Sequence, residues 1–170
     1  MAGAAHHVLD LPHFEEAPRI LVVVAPYYKG VADALLTGAR GVLERAEATH
    51  DLAEVPGALE IAPAIRIGLR QGRFDGFVAL GCVVRGETTH YDTVCNDSSQ
   101  ALMLLGLEGA NIGNGILTVE NIGQAEVRAD PSGQDKGGGA AAAALHLIAL
   151  QRRFAAPARG IGFGRGGPPE

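Results

Sequence analysis

The chain has 170 residues, 47% of them apolar, with a net charge of -5. This is enough for the core of one domain, and no Lys/Arg cluster of the kind that binds nucleic acid is present. Two cysteines, Cys82 and Cys95, are too few for a disulfide framework and lack metal-like spacing to histidine, as expected in a reducing cytoplasm. The N-terminus lacks the basic-then-apolar order of a signal peptide, and no apolar run approaches the roughly 20 residues of a membrane helix.

Residues 1–18 are polar, carry Pro12 and Pro18, and read as an arm. The domain proper is expected over 19–154. Ile20–Ala25 forms a continuous apolar strand, and after the loop Pro26–Gly30 the residues Ala32, Leu35, Leu36, Ala39, Val42 and Leu43 recur at helical spacing. A second strand over Ala48–Val55 meets the turn Pro56-Gly57. A helix follows from about Ile61 to Gln71, with Pro63 expected in its first turn. Gly76–Val84 is a Val-rich run with little polar alternation, as in a strand buried on both faces. Asp92–Leu107 reads as a helix, Ile116–Thr118 with neighbours as a fourth strand, and Glu120–Ala129 as a short helix. A long helix over Gly139–Phe154 precedes a Gly/Pro-rich tail, 155–170, expected to be flexible. Alternating strands and helices imply an α/β fold with a parallel sheet covered on both faces.

In such sheets ligands sit beyond the carboxyl ends of the strands. That draws attention to Arg85-Gly86-Glu87-Thr88-Thr89-His90-Tyr91-Asp92, which follows the most apolar strand. An imidazole here can exchange protons near neutral pH, and the turn amides of Gly86, Glu87 and Thr88 can cradle a phosphate. A histidine that caps nearby backbone is the ordinary alternative. At Val55–Glu60 the turn exposes amides beside one carboxylate, which equally describes a helix start with a favourable acid. Tyr27 and Tyr28 offer aromatic faces for a flat heterocycle, or simple surface packing. Arg128 suits planar phosphate recognition, whereas Lys136 offers a point charge and is more simply a solvated side chain. The tail pattern Gly160-Ile161-Gly162-Phe163-Gly164 has no strand before it or helix after it, and is set aside as a nucleotide loop.

Taken together, VPGALEIAPAI, GFVALGCVVRGETTHYDTVCND, NGILTVENIGQAEVRAD and DKGGGAAAAALHLIAL resemble the 6,7-dimethyl-8-ribityllumazine synthase family. The likeness runs in order over residues 19–154. It implies a three-layer αβα sandwich with a four-stranded parallel sheet, flavodoxin-like, and homo-oligomers built from pentamers. It also implies condensation of 5-amino-6-(D-ribitylamino)uracil with 3,4-dihydroxy-2-butanone 4-phosphate, without metal or organic cofactor.

The resemblance further implies site roles. Tyr27 matches the aromatic that stacks on the pyrimidine, Tyr28 adds a second π face beside it, and Ala58, Leu59 and Glu60 match the segment holding the ring and ribityl chain. Cys82, Val83, Val84 and Asn114 fall on the pocket wall. Gly86, Glu87 and Thr88 match the phosphate loop and His90 the proton-transfer histidine. Arg128 matches a phosphate-binding arginine that a neighbouring subunit supplies, with Lys136 as a possible further contact. Three positions depart from the family. Val127 stands where Glu is common, Gly139 where an acid is common after Lys-Gly, and Asn114 where a large apolar residue is frequent. A catalytically weak flavin- or lumazine-binding or shell-forming homologue is the rival reading. A phospho-acceptor domain fits poorly, because Ala25-Pro26-Tyr27 offers no acidic pair.

Overall fold

A computed structural model describes residues 8–155. The elements are β1 (Arg19–Val24), α1 (Lys29–Arg45), β2 (Thr49–Glu54), α2 (Ala58–Arg70), β3 (Gly76–Val84), α3 (His90–Leu107), β4 (Ile112–Val119), α4 (Ile122–Ala129) and α5 (Lys136–Ala155). The four strands are parallel in the order β2-β1-β3-β4. This is the three-layer α/β sandwich that the alternating pattern predicts.

Strand periodicity divides the core in two. Ile20, Val22 and Val24 of β1, with Val78, Leu80 and Cys82 of β3, pack against α1, α4 and α5. The intervening residues Leu21, Val23, Phe77 and Ala79 pack against α2 and α3. Successive side chains of a strand point to opposite faces, so a strand covered on both must be apolar throughout. That explains the uninterrupted runs in β1 and β3, whereas the edge strands β2 and β4 carry exposed positions. Full burial of each Leu or Ile here contributes about 1.5–3 kcal/mol.

Several boundaries differ from the sequence reading, each for a local reason. α2 begins at Ala58, so Pro63 is not in its first turn. Its missing N–H leaves the Leu59 carbonyl without its i+4 donor, which is tolerable because Leu59 is exposed. α3 begins at His90 instead of Asp92, and α5 at Lys136 instead of Gly139. The start of α5 is set by Asp135, at φ 42, whose Oδ1 accepts from the Gly138 amide at 2.9 Å. β4 extends well beyond Ile116–Thr118 on both sides.

The arm's described part lies on the domain. Leu11 and Phe14 pack against the α1/α5 side of the core. Arg152 donates to the Glu16 carbonyl at 2.7 Å and lies 5.3 Å from the Phe14 ring centroid. The tail reading and the Gly160–Gly164 pattern fall outside the described residues.

Candidate active site

β1 passes to β2 on one side, while β3 and β4 extend the sheet on the other. The adjacent carboxyl ends of β1 and β3 therefore flank a topological switch point, where an open sheet leaves a crevice. A cleft of about 390 Å³ lies there. The β1–α1 loop gives it Tyr27 and Tyr28, the start of α2 gives Gly57, Ala58, Leu59 and Glu60, and the end of β3 gives Cys82, Val83 and Val84. Gly86, Thr88, His90, Tyr91 and Val94 complete the lining from the β3–α3 loop and the start of α3.

The two tyrosine rings meet edge to face, 5.1 Å between centroids at 69°. Tyr27 is 75% exposed, so its ring is open to a ligand at the mouth, while Tyr28 packs partly on the core. Burial, and then the neighbouring Tyr27 and Cys82, raise the Tyr28 phenol pKa. Burial also pushes the Cys82 thiol from 9.0 to about 11, so this wall presents a neutral thiol at physiological pH.

The remaining walls are helix starts. First-turn amides lack intrahelical acceptors and lie at the positive end of the helix dipole. α2 carries Glu60 in that turn. In the β3–α3 loop, Thr88 Oγ1 lies 3.4 Å from the His90 amide that donates to it. His90, the first residue of α3, is exposed. Tyr91 beside it has a raised phenol pKa, from desolvation first and then the neighbouring Cys95. The cleft thus brings aromatic faces, a carboxylate, a turn of amides and a histidine into one lining. It can hold a flat polar heterocycle against an anionic group and supply a proton carrier between them.

Not every expected residue meets within one chain. Glu87 is exposed and outside the lining. Arg128, half-buried on α4, donates through Nη1 to the Gln124 carbonyl at 3.0 Å and has no ion pair among the described residues. Lys136 is exposed at the start of α5, likewise without a described ion pair. Asn114 sits on β4, its Oδ1 accepting from the Ile116 amide at 2.9 Å. It lines a second hollow, of about 480 Å³, between α3 and α5. Conversely, Gly57 and Tyr91, which fall in the expected segments without an assigned role, line the cleft, and so does Val94. Val94 was findable, because it stands four residues after His90 on one helix face. No group of three His, Cys, Asp or Glu suited to a metal occurs among the described residues.

Fold and cleft together define a flavodoxin-like α/β protein with a crevice of ligand size at its sheet's switch point. The sequence places it more narrowly, since residues 17–152 match the family profile described as 6,7-dimethyl-8-ribityllumazine synthase. The chain belongs to that family. A 6,7-dimethyl-8-ribityllumazine synthase of Jannaschia sp. is 54% identical, over 96% of this chain and 92% of the relative. That of Agrobacterium fabrum is 54% identical over 81% of this chain and 97% of its own length. That of Sphingopyxis alaskensis is 50% identical over 79% and 96%.

Proposed function

We propose that the cleft at the ends of β1 and β3 is the active site of this riboflavin-biosynthesis enzyme. It condenses 5-amino-6-(D-ribitylamino)uracil with 3,4-dihydroxy-2-butanone 4-phosphate, releasing phosphate and water, a transferase-type condensation. The observation that carries the site assignment is convergence. Residues from three segments far apart in the chain, Tyr27–Tyr28, Gly57–Glu60 and part of Cys82–His90, line one hollow of ligand size, in a chain that belongs to the synthase family.

On this reading the Tyr27 and Tyr28 faces receive the pyrimidine. Glu60 accepts hydrogen bonds from ribityl hydroxyls, and the amides of Ala58 and Leu59 complete that side. Cys82, Val83 and Val84 form the wall between the substrates. Gly86, Glu87 and Thr88 cradle the phosphate. The amine of the uracil attacks the ketone, the carbinolamine loses water to an imine, phosphate is eliminated, and a second amine–carbonyl closure completes the ring. Every step moves a proton, and on this reading His90, in the cleft lining, carries it. Such catalysis gives about 10²- to 10⁴-fold in general. An amine and a reactive ketone need little electrophilic help, so His90 belongs at the low end, with positioning supplying much of the rest.

Arg128, Lys136 and Asn114 lie off their own chain's cleft, so they serve by reaching a neighbour's. This is the reading of a homo-oligomer, a pentamer or a multiple of one, with active sites between subunits and the 19–154 segment as the acting unit. β4 is an open sheet edge, and exposed Met103, Leu107, Leu147 and Phe154 lie about it on α3 and α5. An unpaired edge beside apolar surface calls for cover. Among the described residues no helix is long and apolar enough to cross a membrane, and the reading places the enzyme in the cytoplasm.

Mixing both substrates with the protein and following lumazine absorbance tests the activity. Formation clearly faster than in buffer is expected; a rate equal to buffer leaves the rival binder or shell-former in possession.

A further inference from the structure

Arg85 lies outside the cleft lining yet is the most connected side chain near it. Its amide donates to the Val119 carbonyl at 2.9 Å, on the last rung of the β3–β4 pairing. Its guanidinium donates through Nε to Glu120 at 2.9 Å and through Nη1 to Asp92 at 3.3 Å, and stacks 4.1 Å over the Tyr91 ring. Tyr91 and Asp92 immediately follow His90. Glu120 is itself fixed, its amide donating to Gln124 of α4 at 3.0 Å.

Between Arg85 and α3 run residues 86–89, all exposed. Among the described residues the hydrogen bonds on this stretch are all at its α3 end, the long Thr88–His90 contact and the Thr89 carbonyl accepting from the Asp92 and Thr93 amides at 3.0 and 3.4 Å. The loop is therefore held at its ends, and Arg85 both forms one end and grips the other.

We infer that Arg85 is a positioning residue, a clasp that fixes the 86–89 loop and the His90 end of α3 against the β4–α4 junction. Resting on the proposed function, the inference assigns Arg85 a role in the geometry of the phosphate half of the cleft and none in the pyrimidine half. Partly exposed ion pairs contribute little to global stability, whereas a reacting group displaced by about 1 Å can cost about 10²-fold in rate. The clasp thus acts on catalysis without being a stability element.

The test is steady-state kinetics on the full chain with each substrate varied. Wild-type turnover is established first; its absence fails the proposed function itself. With turnover present, Arg85→Ala is expected to raise the KM for the butanone phosphate and lower kcat, each by about 10-fold. The uracil KM should stay within about twofold and the melting temperature nearly constant. Asp92→Asn should reproduce part of the loss, the double variant should be no worse than Arg85→Ala alone, and Arg85→Lys should recover only part, since one ammonium cannot hold both carboxylates in the same fork. An equal rise in both KM values, or unchanged kinetics in Arg85→Ala, overturns the clasp. Normal kinetics in Asp92→Asn beside a large loss in Arg85→Ala also overturns it, in favour of direct contact between Arg85 and ligand.

Discussion

His90 is held by backbone at the first position of α3, in a loop whose neighbours leave its ring open to the cleft. Replacement by alanine removes the proton carrier and little packing. His90→Ala should therefore slow turnover by roughly 10²-fold at most while leaving product affinity nearly unchanged, as a fluorescence titration with the product would show. Cys82 offers a prediction of different origin. Its folded-state pKa lies above the free value, from 9.0 to about 11, so the neutral thiol stabilises the fold below pH 9 and that contribution is lost as pH rises through about 11. Denaturant midpoints measured across this window should fall more steeply for the wild type than for Cys82→Ala. Parallel curves would mean that the thiol is not shielded. The difference between these two residues also shows what a sequence discloses about a site. His90 is legible because a polar loop interrupts a buried strand at the edge where ligands bind. The shielding of Cys82 comes from its burial in the packed core at the end of β3, which no spacing records.

At the level of elements, small residues decide how closely the layers approach. A Cβ on Gly137 would collide with the Leu35 carbonyl oxygen of α1, and one on Gly113 with the Ala140 carbonyl oxygen of α5. Both collisions are with backbone, so a whole helix would have to move. Gly137→Ala and Gly113→Ala should each cost about 1–3 kcal/mol or more. Gly139, two residues along the same helix and exposed, leaves open space within 4 Å of where a Cβ would stand, and Gly139→Ala should instead stabilise by about 0.5–1 kcal/mol. Opposite signs for the two helix glycines in a thermal melt would confirm that packing governs the GGG run; equal signs would contradict it. From sequence alone the helix starts only at the last glycine of that run, because spacing does not reveal which glycines face a neighbouring backbone. Existence and order of the elements follow from periodicity, because the buried strands and amphipathic α1 carry long apolar patterns. The starts of α2, α3 and α5 do not. They are set by Gly57, Thr89 and Asp135, of which the structure shows only Asp135 with a side-chain cap on the helix amides.

For the whole molecule, the division of the expected site between cleft and outer elements has a consequence that can be measured without a structure of the assembly. His90 lies in the cleft, and Arg128 lies on α4, outside it. If Arg128 serves a neighbour, Arg128→Ala alone should weaken the butanone phosphate much more than the uracil, because its guanidinium suits a phosphate. A mixture then discriminates between sites within and between subunits. His90→Ala and Arg128→Ala chains, each of low activity, are unfolded together in equal amounts and refolded to allow random co-assembly. In a closed ring each site draws its histidine from one chain and its arginine from the next, so about a quarter of sites would combine two intact residues. Activity should recover toward about a quarter of the refolded wild type and stay low when the two variants are refolded separately and then mixed. A site confined to one chain would show no recovery in either case, because no chain in the mixture has both residues.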